Sequence, residues 1–298
     1  METIYLTHHQ RDTVFNVKPC VIALGFFDGV HLGHQRVIKT AKTVAEENKV
    51  ELAIITFYPH PKEILNGGKE NFCYITPMSV KVETFARLGV NKLYVINFNE
   101  EFAALSPESF IEHYVIGLQA VHVVAGFDFT YGFKGKGTMK TILEHGKGYF
   151  QVSKVAKTDC DGQKISSTLI REALARGEVE KLCSYLGNYY ETRGKMVVNS
   201  SQRNIGELKA LVKIEKGYTL PKIGCYMIEA SIGHHTYYGY AYICPTEAAS
   251  NELRIEFNSF QQIDNQMQLK IKWLKRIATV TEFDTVPFSD RFIQSAFF

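Results

Sequence analysis

The stretch Cys20-Val21-Ile22-Ala23-Leu24-Gly25-Phe26-Phe27-Asp28-Gly29-Val30-His31-Leu32-Gly33-His34 runs from an unbroken apolar segment, through a glycine-bearing turn, into helical patterning. An apolar run of this length without polar alternation suits a strand buried on both faces. The pattern then repeats. Helical spacing from about Gly33 to Asn48 leads to a second strand, Glu51–Phe57, and a helix over Val80–Leu88 leads to a third, Lys92–Ile96. Ser106 and Pro107 stand as N-cap and first residue of a helix reaching about Ile116. A fourth strand, Val121–Ala125, precedes helical patterning over Thr138–His145. This alternation predicts a Rossmann-like α/β fold, a parallel sheet with helices on both faces. Ligands of such sheets bind beyond the carboxyl ends of the strands, where the glycine turn lies.

After Tyr185-Leu186-Gly187-Asn188 the pattern changes. Short alternating runs follow at Arg193–Val198, Leu208–Ile214, Tyr226–Ile232, Thr236–Ile243 and Glu252–Phe257, separated by Gly, Asn and Ser clusters. They predict the antiparallel strands of a small barrel or sandwich. Ser289–Phe298 reads as a short terminal helix. At about 150 residues per domain, 298 residues suit two domains, and the change of pattern divides them into residues 1–187 and 188–298. No internal repeat or low-complexity segment interrupts either.

Composition excludes more than it selects. Lys and Arg number 34 against 31 Asp and Glu, a net charge of +3 that does not by itself call for nucleic acid or an acidic membrane. The six cysteines are scattered without a C-x-x-C pair, which excludes zinc sites of the usual spacing and a thioredoxin-type redox pair. The opening METIYLTHHQ lacks a basic region followed by an apolar one, and no apolar run reaches the ~18 residues of a membrane span. Cytoplasmic residence with reduced thiols is the expectation.

His31 and His34, three residues apart at a helix start, reach the same side of the turn and can donate hydrogen bonds to phosphate oxygens. The helix N-terminus adds unpaired N–H groups and partial positive charge. Gly33 lets a planar base or a phosphate approach the backbone. Taken alone, the two histidines read as surface or capping residues, and without an acidic or Cys ligand beside them they do not make a zinc site. Ser166, Ser167 and Thr168 precede helical patterning through Ala175. They are N-cap candidates or, with Arg171 one turn in, a triphosphate cradle. Phe127-Asp128-Phe129, beyond the fourth strand, is a core turn or a pocket for a flat heteroaromatic ring. Phe57, Tyr58 and the prolines Pro59 and Pro61 around His60 stiffen a pocket mouth or end the strand. Tyr131–Gly137 reads as a loop whose Lys134 and Lys136 guide phosphate or are simply solvated.

As a unit, Gly25–His34 resembles the nucleotide-binding signature of prokaryotic FAD synthetases, within the HxGH nucleotidyltransferase superfamily, whose four-residue element is His31-Leu32-Gly33-His34. Three further stretches fit that family in order. Thr56–Pro61 resembles its second-strand exit, Gly126–Gly132 its G-x-(D/N)-F-x-F-G element with Tyr131 where Phe is usual, and Ile165–Arg171 its I-S-S-T-x-I-R element. The resemblance implies FMN adenylyltransfer, in which ATP and FMN give FAD and pyrophosphate with Mg2+. It assigns His31, His34 and Arg171 to catalysis, with both histidines on ATP phosphates. Gly25, Phe27, Asp28 and Gly33 shape the nucleotide site, and Ser166, Ser167 and Thr168 join Arg171 in holding phosphates. Phe57, His60, Pro61, Asp128 and Phe129 border the flavin. FMN phosphate is already an anion near neutral pH, so it attacks the α-phosphorus in line without a strong base or a covalent intermediate. The expected partners are ATP and FMN, with no nucleic acid and no membrane.

Many bacterial members carry a second module, a riboflavin kinase with a six-stranded barrel, whose signature reads roughly G-x-V-x-x-G-x-x-x-G-R-x-L-G-F-P-T-A-N. Aligned on Gly206, this chain has Glu207-Leu208-Lys209-Ala210-Leu211 where Phe-Pro-Thr-Ala-Asn stands, and Asn199 replaces a glycine of the phosphate-contacting loop. The family's Thr and Asn ligate magnesium and phosphate through oxygen. Lys209 brings a positive charge instead and Leu211 brings no ligand, although Glu252 still matches the family's catalytic base. The resemblance thus implies a riboflavin-kinase-like barrel retained as structure with kinase activity lost. The alternatives are a bifunctional riboflavin kinase/FAD synthetase, a non-catalytic flavin- or nucleotide-binding regulator, and a nucleotidyltransferase acting on another acceptor.

Overall fold

The computed structural model describes residues 1–7, 17–65, 72–197, 203–204, 207–244, 251–257 and 266–278. The chain forms two compact units, Met1–Leu169 and Ile170–Phe298. This division falls near the start of the Ser167–Arg176 helix, and the antiparallel strands begin later, at Tyr190.

In the first unit, six strands form one sheet in the order Glu2–Leu6, Lys92–Asn97, Glu51–Tyr58, Cys20–Leu24, Ala120–Gly126, Gln151–Val155, with every pairing parallel. The four inner strands are those predicted from apolar runs, and every residue of Cys20–Leu24 is buried. The two outer strands, ETIYL and QVSKV, escape that reading because an edge strand is only half covered. Side chains alternate between faces. Val21 and Ala23 join Leu52, Ile54, Leu93 and Val95 beneath the Leu32–Asn48 helix, which contributes Val37, Ile38, Ala41 and Ala45. Ile22 and Leu24 join Ala53, Ile55, Tyr94 and Ile96 on the other face, covered by Phe110, Ile111, Tyr114, Val115 and Ile142.

Ser106 caps the Pro107–Phe110 helix by accepting from Ser109 N at 3.1 Å, and the helix widens into a π-helix over Ile111–Ile116. The helix expected over Thr138–His145 is shorter, Ile142–Gly146. Gly137–Thr138 pairs with Thr130–Tyr131 as a small hairpin, and Thr141 Oγ1 accepts from Thr138 N at 3.1 Å, stabilising a turn before the helix. The chain runs outward from Cys20–Leu24 to the strands on one side, then crosses to Ala120–Gly126 on the other. The carboxyl ends of these two neighbours form the switch point at which such sheets open a crevice. No helix among the described residues is long and apolar enough to cross a membrane.

The second unit contains a closed antiparallel barrel. Tyr190–Val197, Gln266–Ala278, Gly224–Ile232, His235–Ile243, Glu252–Phe257 and Glu207–Ile214 follow one another, and the last pairs back to the first. Five of these strands carry the predicted runs, that of Arg193–Val198 as far as Val197, with Val198 outside the described residues. The sixth, QMQLKIKWLKRIA, alternates lysines with buried Leu269, Ile271 and Trp273, so its dense charge masks a half-buried strand. Asn199, Gly206 and the terminal Ser289–Phe298 helix lie outside the described residues.

Trp273 is fully buried, meets Tyr226 edge-on at 5.2 Å, and donates its indole N–H to the buried Thr192 Oγ1 at 3.0 Å. Because Trp273 is the chain's only tryptophan, its fluorescence reports on this unit. Thr192→Val leaves the indole donor without an acceptor and is expected to destabilise the barrel by about 1–3 kcal/mol, read as a lower denaturation midpoint by tryptophan fluorescence. An unchanged midpoint would show that the bond adds no net stability.

Candidate active site

The turn after the central strand is built against local preference. Phe27, Gly29 and Val30 have φ of 55°, 86° and 38°. For β-branched Val30 this backbone costs on the order of 1–3 kcal/mol, so the surroundings must hold it. They do so with polar contacts from four directions. The buried Asp28 carboxylate accepts from Ile75 N at 3.0 Å and Thr76 N at 3.1 Å. Phe26 O accepts from Lys81 Nζ at 2.8 Å and Thr56 Oγ1 at 2.9 Å. Ser167 Oγ donates to Asp28 O at 2.8 Å, and Gln35 Nε2 donates to Val30 O at 3.0 Å. Lys81 is fully buried, with its ammonium 4.1 Å from the Phe26 ring centroid.

The turn delivers His31 to the N-cap of the Leu32–Asn48 helix, where its Nδ1 accepts from His34 N at 3.3 Å. The two imidazoles stack with centroids 3.6 Å apart and planes 18° from parallel. Phe27 closes the far side of His34 edge-on at 5.2 Å. Burial drives the His31 pKa down to about 4, and burial holds His34 well below the usual imidazole value, with the charges of His31 and Lys81 adding to it. Both rings are therefore neutral near pH 7. Accepting at Nδ1 leaves His31 with Nε2–H as its donor. His34 Nδ1 is buried without a hydrogen-bond partner among the described residues. A Cβ on Gly33 would come within 3.2 Å of the His31 ring, and one on Gly25 within 2.8 Å of the Phe27 ring. These glycines make room for the site's own aromatic groups.

A cavity of about 1010 Å³ opens over this turn, built from the first unit at the carboxyl ends of the sheet. One part is polar: His31, His34, Lys157, Lys164 and the helix start at Ser166, Ser167 and Thr168. Another is aromatic, with Phe57, Phe98, Phe102, Phe110, Phe129 and Tyr131. Gly25, Phe27, Gly33, Pro61 and Asp128 also line it. Both readings of the hydroxyl run have support. Ser166 Oγ accepts from Leu169 N at 3.2 Å as a cap, Ser167 ties the turn, and Thr168 is exposed on the cavity wall.

Two of the residues expected at the site, Asp28 and His60, do not line the cavity. Asp28 braces the turn from beneath. His60 stacks on Phe72 at 3.8 Å and meets Phe26 edge-on at 4.3 Å, while its Nδ1 accepts from Lys62 N. Arg171 belongs to the second unit, where its Nη1 donates to Thr219 Oγ1 at 3.2 Å. Other residues of the site went unrecognised in sequence. Lys81 left a usable signal, a charge in the buried phase of the Met78–Arg87 helix beside Phe85. Lys164, which ion-pairs with Asp128 and lies 4.7 Å from the Phe127 ring centroid, left none.

The chain is similar to known proteins over most of its length. The FAD synthetase family profile matches residues 15–169. The chain is 42% identical over 293 residues to the bifunctional riboflavin kinase/FMN adenylyltransferase of Bacillus subtilis, covering 96% of this chain and 93% of that one. Over 244 residues it is 41% identical to the protein of the same name from Listeria monocytogenes, covering 82% and 78% of the two chains. Among solved structures, one titled a macrolide-efflux protein from Streptococcus pneumoniae superposes with a TM-score of 0.84 at 28% identity, covering 96% of this chain and 94% of its own. A strained turn that presents two neutral imidazoles at a helix start is thus set in a chain that belongs, over most of its length, to the FAD synthetase family of nucleotidyltransferases.

Proposed function

We propose that the protein transfers the adenylyl group of ATP to FMN, giving FAD and pyrophosphate, and that its barrel does not phosphorylate riboflavin. The observation that carries the first part is the stacked His31–His34 pair, 3.6 Å apart, at a helix N-terminus inside a cavity that also has an aromatic wall. An FMN phosphate oxygen attacks the α-phosphorus as the bond to the β-phosphate oxygen breaks, and pyrophosphate carries away the electron pair. Negative charge gathers on phosphate oxygens, so neutral N–H donors and helix dipoles stabilise the transition state without a proton being removed. His31 donates through Nε2–H, and the Leu32–Asn48 and Ser167–Arg176 helices direct their N-termini to the same end. Phe57, Pro61, Asp128 and Phe129 border the flavin ring.

Magnesium fits this site as an ion carried on the triphosphate. Among the described residues, Glu100 and Asp128 are the only carboxylates lining the cavity, and no cluster of three His, Cys, Asp or Glu able to hold a metal occurs. Bound in that way it supplies charge neutralisation. The chain's own groups do the positioning.

The second part rests on the barrel. Leu208, Ala210 and Val212 are buried, which turns Lys209 and Leu211 to the other face of the strand. Lys209 Nζ pairs with Glu256 at 3.4 Å. Neither residue supplies the oxygen ligands that a hard cation requires. The bifunctional reading also has support, from the relative of that name that matches over 293 residues. Functionally, we place the divide between the two modules at residue 187.

Purified protein with ATP and magnesium is expected to make FAD from FMN and no FMN from riboflavin, as read by chromatographic separation of the flavins. Catalytic formation of FMN overturns the loss of kinase, and absence of FAD overturns the transferase. His31→Ala is expected to lower kcat about 10²- to 10³-fold while costing about 0.5–2 kcal/mol of stability through the lost N-cap. An activity loss that only tracks unfolding would assign His31 to the fold. In imidazole NMR titrations His31 should show a midpoint pushed down to about 4, whereas an exposed histidine titrates near 6.5. A His31 midpoint near that ordinary value contradicts neutral-donor catalysis.

A further inference from the structure

One polar chain at the aromatic end of the cavity has no part in the transfer step. Tyr131 lines the cavity, is 4% exposed, and lies 5.4 Å from the Phe110 ring and 6.1 Å from Phe129. Its hydroxyl meets His145 Nδ1 at 2.8 Å, and His145 Nε2 meets Glu108 Oε1 at 3.3 Å. An ionised carboxylate has no proton to give, so a neutral His145 must present Nε2–H to Glu108 and accept the Tyr131 O–H at Nδ1. The Glu108 carboxyl is held below its usual range by its own backbone N–H and the Ser106 hydroxyl. Every proton in the chain then has one direction.

The chain joins three separate elements. Glu108 is on the Pro107–Phe110 helix, His145 on the Ile142–Gly146 helix, and Tyr131 in the hairpin that pairs Tyr131 with Gly137. Each strand of the hairpin is two residues long, and besides Tyr131 its hold on the domain is Phe133 N donating to Leu105 O at 2.6 Å and the packing of Gly132 on Pro107. It nevertheless supplies Thr130–Gly135 to the cavity wall. The ring cannot shift easily, since a Cβ at Gly137 would lie only 2.4 Å from it. A hydrogen bond at the ring's far end therefore adds a second side to the hairpin's hold, opposite the Leu105–Pro107 contacts.

We infer that Tyr131 is a positioning residue: through His145 and Glu108 it holds the Thr130–Thr138 hairpin against the body of the domain and so sets the affinity for the flat aromatic acceptor. This rests on the FMN adenylyltransferase reading for the identity of the acceptor. The aromatic wall meets a ring system, and the phosphates lie at the histidine end. Losing the tether therefore weakens acceptor binding and leaves the transfer step intact.

Tyr131→Phe keeps the ring and removes only the hydroxyl. It is expected to raise KM for FMN about 3- to 10-fold, the worth of one net hydrogen bond, with kcat and KM for ATP within about twofold. His145→Ala should do the same, and the double variant should lose less than the sum of the two single losses, because both break the Tyr131–His145 bond. Tyr131→Phe alone also removes the hydroxyl's bond with Thr141, and His145→Ala alone the pair with Glu108. His145→Asn, which keeps an acceptor near the Nδ1 position, should recover part of the loss. Hydrogen exchange of the residue 130–138 amides in the substrate-free protein gives a second readout and should quicken in both single variants. Unchanged exchange, a loss confined to kcat, or a rise in KM for ATP alone overturns the proposal. Should the unaltered protein make no FAD while the variants still loosen the hairpin, the transferase reading fails and the tether stands.

Discussion

Between the central strand and the helix that follows it, Phe27, Gly29 and Val30 all occupy positive φ. Such a turn persists only where its surroundings over-determine it. Here the Asp28 carboxylate takes two backbone N–H groups from Ile75 and Thr76, and the buried Lys81 ammonium takes the Phe26 carbonyl. An unpaired charge in either place would be expensive, so each also depends on the turn keeping its shape. This mutual dependence sets where His31 begins its helix, and with it the stacking on His34 and the floor of the cavity.

Burial of the histidines then decides what chemistry is available. A ring whose pKa is pushed down to about 4 is a poor proton reservoir near neutral pH and a steady hydrogen-bond donor. That suits a reaction in which charge moves among phosphate oxygens and no proton need be taken from the nucleophile. Positive charge near the cavity comes from Lys157 and Lys164, which line it, and from helix N-termini. The small net charge of +3 is compatible with a site whose positive potential is local.

The barrel shows that the demands of a fold can be met separately from those of a site. Its interior needs only alternating apolar residues and a satisfied indole, which Leu269, Ile271, Trp273 and Thr192 supply. Those demands are independent of what stands on the opposite face of the Glu207–Ile214 strand. Lys209 and Leu211 can occupy that face without disturbing the core, so closure of the barrel carries no information about kinase chemistry.

Local patterns made much of the molecule legible in sequence. The inner strands announced themselves as continuous apolar runs, and the helix starts at His31, Ser106 and Ser166 as capping residues before periodic segments. The same contiguity brought His31, His34 and the Ser166–Thr168 hydroxyls to notice. Where a motif residue points is not a local property. Asp28 and His60 belong to recognisable motifs, yet one braces the turn and the other packs on Phe72. Lys81, Lys164 and the Tyr131–His145–Glu108 chain draw their roles from partners far off in sequence. By itself, the sequence determined the alternation of elements, the family, and the helix start that carries His31 and His34, because these follow from short-range periodicity and adjacency. Only the tertiary structure decided which polar groups face the cavity and which hold its walls, because burial and hydrogen-bond partners are set when distant segments pack together.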